Sequence, residues 1–388
     1  MDFDLTEEQS AVEELAGTLL ADRSTPERLR ALEHGGDGVA DADRTDRFDR
    51  ALWAEMADTG LLGLVTPEHL GGAGLGVVEA CLVLREVGRR TAPVPALAAI
   101  ALGALPIARW GDAEQRVALL PGIGDGSLIV AAALSEPTGD PRLPSVTAER
   151  SGDGWVLTGV RSNVPAGTVA DLVLVPASDG DRIIVAVLPL DAPGVTVQRQ
   201  ETTTGVPEAL VTLDDVAVGD DAVLGGPPRT DDGADDGADG AAVLAWMVEV
   251  ASVAACAEMA GLCAEAVAIT GRYTTEREQF GRPIASFQAV TQRAGDAYVD
   301  AQAVELTMLQ AAWRISAGLP ASREVAIAKY WAAAGGQRVV HAAQHLHGGM
   351  GVDRDYPLHR YFLRAKQLEL FLGGATRQLQ LLGRRLAA

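Results

Sequence analysis

The 388-residue chain is 48% hydrophobic and 22% charged, a globular composition long enough for two or three domains. Its formal charge of −21 argues against nucleic acid and anionic membrane surfaces as partners. No run approaches ~18 uninterrupted apolar residues, and the start Met1-Asp2-Phe3-Asp4 is acidic, so neither a membrane span nor a secretory signal is expected.

Residues 1–125 read as helical. Thr6-Glu7-Glu8-Gln9 has the form of a capped helix start, and apolar residues then recur at helical spacing through Val12, Leu15, Leu19 and Leu20. A short helix follows Ser24-Thr25-Pro26, then an acidic loop from about Glu33 to Asp46. Ala51 to Met56, Val77 to Arg89 and Pro95 to Trp110 read as further helices. The glycine-rich Pro67–Gly76 stretch has no strand–turn–helix unit around it and is read as a connector, not a dinucleotide fingerprint.

From about residue 126 the period shortens. Leu128–Leu134, Trp155–Gly159, Leu172–Pro176, Ile183–Leu188 and Leu210–Leu213 are short apolar runs punctuated by Gly, Pro and Asp, which predicts a small antiparallel β domain over 126–228. The acidic, low-complexity stretch 229–240 reads as a loop or linker. From 241 to 388 the chain is helical again. It opens on one long, nearly all-round apolar helix to about Thr275, and segments 286–317, 322–346 and 356–386 complete a four-helix bundle. The fold class is α+β, with the order helical, β, helical.

Cys81, Cys256 and Cys263 share no metal-ligand spacing and lie in apolar helical patterns, as reduced core residues of a cytoplasmic protein would. His341, His345 and His347 have no acidic or thiolate companions, so no metal is expected. Lysine occurs only at positions 329 and 366, so an anionic ligand needs a local concentration of arginines. One such place is the turn between the first two helices of the bundle, R-Y-T-T-E-R-E-Q-F-G-R-P-I-A-S-F-Q from Arg272 to Gln288. Arg277 suits phosphate and Phe280 offers an apolar face to a purine. An interhelical turn whose Arg merely complements a helix dipole is the plainer reading of the same residues.

The stretch from Arg277, H-L-H-G-G-M-G from His345, L-S-E-P from Leu134 and the opening F-D-L-T-E-E-Q together resemble the acyl-CoA dehydrogenases over essentially the whole chain. The resemblance implies an FAD enzyme that removes two hydrogens from Cα and Cβ of an acyl-CoA thioester. A carboxylate takes the α proton and the flavin accepts the β hydride. It also implies that Arg277, Gln279, Phe280, Gln288, His345, Gly348, Gly349 and Met350 hold the ADP half of an FAD whose ring sits mainly in a neighbouring subunit.

The departures are specific. The family's base is a Glu in a Tyr-Glu-Gly-Thr-like segment, which here reads Leu370-Phe371-Leu372-Gly373-Gly374-Ala375-Thr376, with no carboxylate in either register. Some members carry the base about 29 residues before the motif phenylalanine, which gives Ala251, with Ser252 beside it. Glu249 is two residues away, turned by roughly 200° on a helix, and is the weak alternative base. The flavin-facing segments are altered as well, to Leu134–Asp140 and Val160–Pro165. This split resembles the non-catalytic partner of the α2β2 heterotetrameric acyl-CoA dehydrogenases of actinobacterial steroid (cholesterol) side-chain degradation. The implied partner is a second, related subunit that brings the base and flavin pocket.

Overall fold

The computed structural model describes residues 3–33, 46–136, 139–180, 182–225 and 239–387. Most of the acidic loop at 33–46, Pro137 of the L-S-E-P motif and the 229–240 stretch up to residue 238 lie outside them. The chain has the acyl-CoA dehydrogenase-like α+β order expected above. It divides into two compact units, Met1–Thr45 with Cys81–Pro93 and Ser252–Ala388, and Asp46–Ala80 with Val94–Ala251.

The N-terminal helices are α1 (Glu7–Arg23), α2 (Pro26–Glu33), α3 (Arg50–Asp58), α4 (Val77–Arg90), α5 (Leu105–Trp110) and α6 (Ala113–Gly124). Thr6 starts α1 with a full capping box: its Oγ1 accepts from Gln9 N–H at 3.2 Å, and Gln9 Oε1 accepts from Thr6 N–H at 3.1 Å. The predicted Pro95–Trp110 helix is wound as a π-helix over Leu97–Ala104 before α5. Pro106 cannot donate to the preceding turn and its ring crowds the carbonyl four residues back. The wider winding lies just before it.

The sheet holds β1 (Val130–Ala132), β2 (Thr147–Ser151), β3 (Gly154–Pro165), β4 (Leu172–Ser178), β5 (Ile183–Pro189), β6 (Val195–Arg199) and β7 (Glu208–Gly219). Their order is β1-β4-β2-β3-β7-β6, with β5 also on β4. It is not purely antiparallel, because β1 and β2 each run parallel to β4. Between β1 and β4 the chain makes the β2–β3 hairpin, so no tight turn forces those two strands to oppose. The core residues Trp155, Leu157, Val173, Val175, Val211 and Leu213 come from predicted runs. Strands β2 and β6 were not predicted. β2 buries only Ala148, and β6 alternates half-buried with exposed positions, so neither shows an apolar run.

The C-terminal helices are α7 (Gly240–Glu276), α8 (Gln288–Ser316), α9 (Ser322–His347), α10 (Leu358–Leu370) and α11 (Ala375–Ala387). By length and composition α7 could cross a bilayer, but 67% of its most apolar window is buried inside the protein, which makes it a core helix. A Cβ on Gly261 of α7 would overlap the Arg85 carbonyl of α4, and one on Gly88 the Glu258 carbonyl, so these two backbones lie in direct contact. Cys256 and Cys263 are buried along α7, and burial pushes the Cys256 thiol up to about 12. The segment expected as one helix over 356–386 is broken at Phe371–Gly374, where Leu372 (φ 53°) and Gly373 (φ 99°) take left-handed conformations.

Candidate functional site

The arginine-bearing turn is a β-hairpin. Helix α7 ends at Glu276, and Arg277 N–H donates to Tyr273 O at 2.8 Å. Strand β8 (Glu278–Gln279) then pairs antiparallel with β9 (Arg282–Pro283), Gln279 opposite Arg282. A further bond from Ile284 N–H to Arg277 O, at 2.8 Å, extends the ladder by one rung. The two turn residues, Phe280 (φ 55°) and Gly281 (φ 76°), are both left-handed, as a two-residue primed turn requires. Glycine takes that conformation freely, whereas a bulky residue there is strained. Yet Phe280 is 92% exposed, and its ring meets that of Phe287 edge-on, at 6.2 Å and 86°. Among the described residues, no burial of Phe280 offsets that strain.

Gln288 is the exposed first residue of α8, and Phe287 before it supplies no side-chain cap. The positive end of a 29-residue helix therefore stands open beside the hairpin. Arg277 is exposed and enters none of the ion pairs found among the described residues.

The second segment is the end of α9. His345, Gly348, Gly349 and Met350 are all exposed, and a Cβ built on Gly348 or Gly349 meets nothing within 4 Å. Gly351 is the opposite case: a Cβ there would lie 2.7 Å from Gln344 O, so that glycine serves packing. An aromatic cluster joins the two segments. Tyr273, four residues before Arg277, stacks on His347 at 4.2 Å and 23° and donates from its hydroxyl to His347 O at 3.4 Å. His347 Nδ1–H donates to Ala343 O at 2.7 Å, and Nε2 accepts from the Tyr356 hydroxyl at 3.1 Å. Both ring nitrogens are used by a neutral imidazole, and burial draws the His347 pKa down. Sequence reasoning missed Tyr273 and Tyr356. The available signal was an aromatic one helical turn before Arg277, facing the histidine of the second motif.

At the positions that the family resemblance sets against a base, the side chains are Gly, Ala and Ser. Gly373 and Gly374 lie in the α10–α11 connection, and Ala251 and Ser252 are buried in α7. Glu249 approaches the Arg142 guanidinium at 3.9 Å. Glu258, further along α7, is buried and held by Arg364 through two bonds of 2.5 and 2.7 Å. In the altered flavin-facing segment, Arg161 is buried against Glu136 and donates to Pro176 O at 2.7 Å.

The connection itself is tightly held. Fully buried Lys329 donates to Leu368 O at 3.0 Å and Glu369 O at 3.1 Å, closing the end of α10. Buried Gln378 donates to Leu372 O and Gly373 O at 3.3 and 3.2 Å. Burial lowers the Lys329 pKa to about 8 from 10.5. Between those values the unfolded chain binds the extra proton, so the lysine's contribution to stability grows as pH rises from about 8 to about 10.5 and is lost as pH falls through 8. Denaturant titrations across that window should show wild type gaining on Lys329→Met with a slope approaching about 1.4 kcal/mol per pH unit.

Comparison with known proteins gives the family. Residues 6–127 match the family model for the acyl-CoA dehydrogenase N-terminal domain, and residues 238–387 match that for its C-terminal domain. The chain is 38% identical over 395 residues to acyl-CoA dehydrogenase FadE27 of Mycobacterium tuberculosis, covering 100% of this chain and 99% of that one. It is 35% identical to FadE28 of the same organism, over 86% of this chain and 91% of that one. Among solved structures, the ChsE4-ChsE5 complex from Mycobacterium tuberculosis superposes with a TM-score of 0.89 at 38% identity over 100% and 99% of the two chains. The steroid ACAD Tcur3481-Tcur3483 does so with a TM-score of 0.87 at 41% identity over 98% of each. The chain belongs to the acyl-CoA dehydrogenase family of FAD-dependent oxidoreductases.

Proposed function

We propose that this chain is the partner subunit of a heteromeric, α2β2 acyl-CoA dehydrogenase: it completes the FAD site of a second subunit and leaves the proton-abstracting base to that subunit. The carrying observation is the pairing of an open, cationic and aromatic hairpin with glycine at the family's base position. The residues fit FAD. A pyrophosphate needs a guanidinium and helix-end N–H groups, and Arg277 and the uncapped start of α8 offer both. An adenosine needs an apolar face, which exposed Phe280 supplies, with Gln279, Gln288 and His345 as polar neighbours. Gly348 and Gly349 keep the backbone open to a ligand's close approach, with Met350 beside them. When bound, FAD supplies the hydride acceptor for α,β-dehydrogenation; this chain's residues bind and orient its ADP half.

Two similar structures bear two-component names, ChsE4-ChsE5 and Tcur3481-Tcur3483, which supports a heteromer. The second is described as a steroid ACAD, so a steroid-derived CoA thioester is the substrate class proposed for the complex. Purified alone, the chain should be colourless and fail to dehydrogenate acyl-CoA; a yellow, active homo-oligomer overturns the reading. The competing reading places the base at Glu249, whose carboxylate faces Arg142. In the active complex, Glu249→Gln of this chain should leave kcat within about twofold. A loss of ~100-fold or more, the scale of general-base removal, would favour the displaced base instead.

A further inference from the structure

The hairpin carries a second arginine, Arg282, in its second strand. Side chains alternate along a strand, and Gln279 lies directly opposite Arg282, so these two share one face of the ribbon. The Ile284 to Arg277 bond extends the same ladder, which places Arg277, two residues from Gln279, on that face as well. Two guanidiniums and one amide are thus aligned, with the projecting Phe280 at the turn. The Arg282 guanidinium lies 4.3 Å from the Phe287 ring centroid, and Phe287 in turn meets Phe280 edge-on. That stack holds an otherwise flexible, exposed side chain in one place.

Charge makes the arrangement informative. The chain has 53 acidic residues against 32 basic ones, and its other arginines commonly find a carboxylate: Arg85, Arg150, Arg338, Arg360 and Arg364 are all paired. Neither Arg277 nor Arg282 enters an ion pair among the described residues, although Glu276 precedes the hairpin and Glu278 lies in its first strand. One free guanidinium satisfies one phosphoryl group. Two on one face match a ligand with two adjacent phosphoryl groups.

Resting on the proposed FAD-completing role, we infer that Arg282 is a second anion-binding residue, taking the same diphosphate as Arg277 from the opposite strand. The site then selects a nucleoside diphosphate unit over a monophosphate. The test uses the co-expressed complex, stripped of flavin and titrated with FAD, ADP and AMP. Arg282→Ala should weaken FAD by about tenfold or more and shrink the ADP-over-AMP preference by a similar factor, while leaving the melting temperature of the apo complex unchanged. Arg282→Lys, which keeps the charge but loses the fork and the ring stack, should fall between the two. If Arg282→Ala binds FAD and ADP as wild type does while Arg277→Ala does not, Arg282 is only a ring-stacking residue and this inference fails with the FAD-completing role intact. If neither substitution affects FAD, the role itself fails and the inference with it.

Discussion

Replacing Arg277 with alanine in the assembled complex is expected to cost most of its flavin. A charge-assisted bidentate contact to phosphate is worth about 1.5–3 kcal/mol, which weakens FAD by roughly 10–100-fold. The protein itself should tolerate the change. Arg277 is exposed, and its backbone bonds to Tyr273 and Ile284 do not involve the side chain. Absorbance near the flavin bands after gel filtration reads the loss, and an unchanged melting temperature of the apo complex shows that folding is intact. Arg277→Lys should recover part of the binding, because a lysine restores the charge without the fork. Full flavin content in Arg277→Ala would mean that the hairpin is only a turn.

The second large effect is structural. Arg85 of α4 is a buried cation, with its side chain 6% exposed, that pairs with Glu13 of α1 and Glu305 of α8 and lies 3.9 Å from Glu86. One guanidinium thus ties three helices of the first compact unit through its charge. Arg85→Met removes the cation and leaves those carboxylates facing one another without it. Because those carboxylates are still 29% and 27% exposed, the loss should cost about 1.5–3 kcal/mol, measured as a fall in the denaturant midpoint at constant m-value. The exposed Arg150–Asp220 pair makes a useful contrast, since Arg150→Met should move that midpoint little. Equal effects from the two would contradict the view that burial sets the value of these pairs.

Much of this was legible in the amino-acid order. The capping box at Thr6, the long apolar α7 and the β-strand core runs each carry a local signal that tertiary contacts reinforce. The grouping of Arg, Phe and Gly between two helices was also visible. Three things were not legible. Strands β2 and β6 bury too little to show a pattern, and the parallel pairing with β4 depends on strand order rather than on any strand's composition. The break at Leu372–Gly373 is held by Lys329, which satisfies carbonyls just before it, and by Gln378, which satisfies the carbonyls of the two break residues. The alignment of Arg282 with Arg277 likewise needs the register of a hairpin with only two residues per strand, too short to announce itself in sequence.

The proposed role of this chain is to keep a grip on FAD and leave the chemistry to a partner. Co-expression of the chain with a second, related acyl-CoA dehydrogenase subunit tests it, with subunit composition read by native mass spectrometry and bound flavin by absorbance. A yellow α2β2 assembly with about one FAD for every two subunits is expected. A complex with one FAD per subunit, or a homotetramer of this chain that carries FAD and dehydrogenates acyl-CoA, would contradict it.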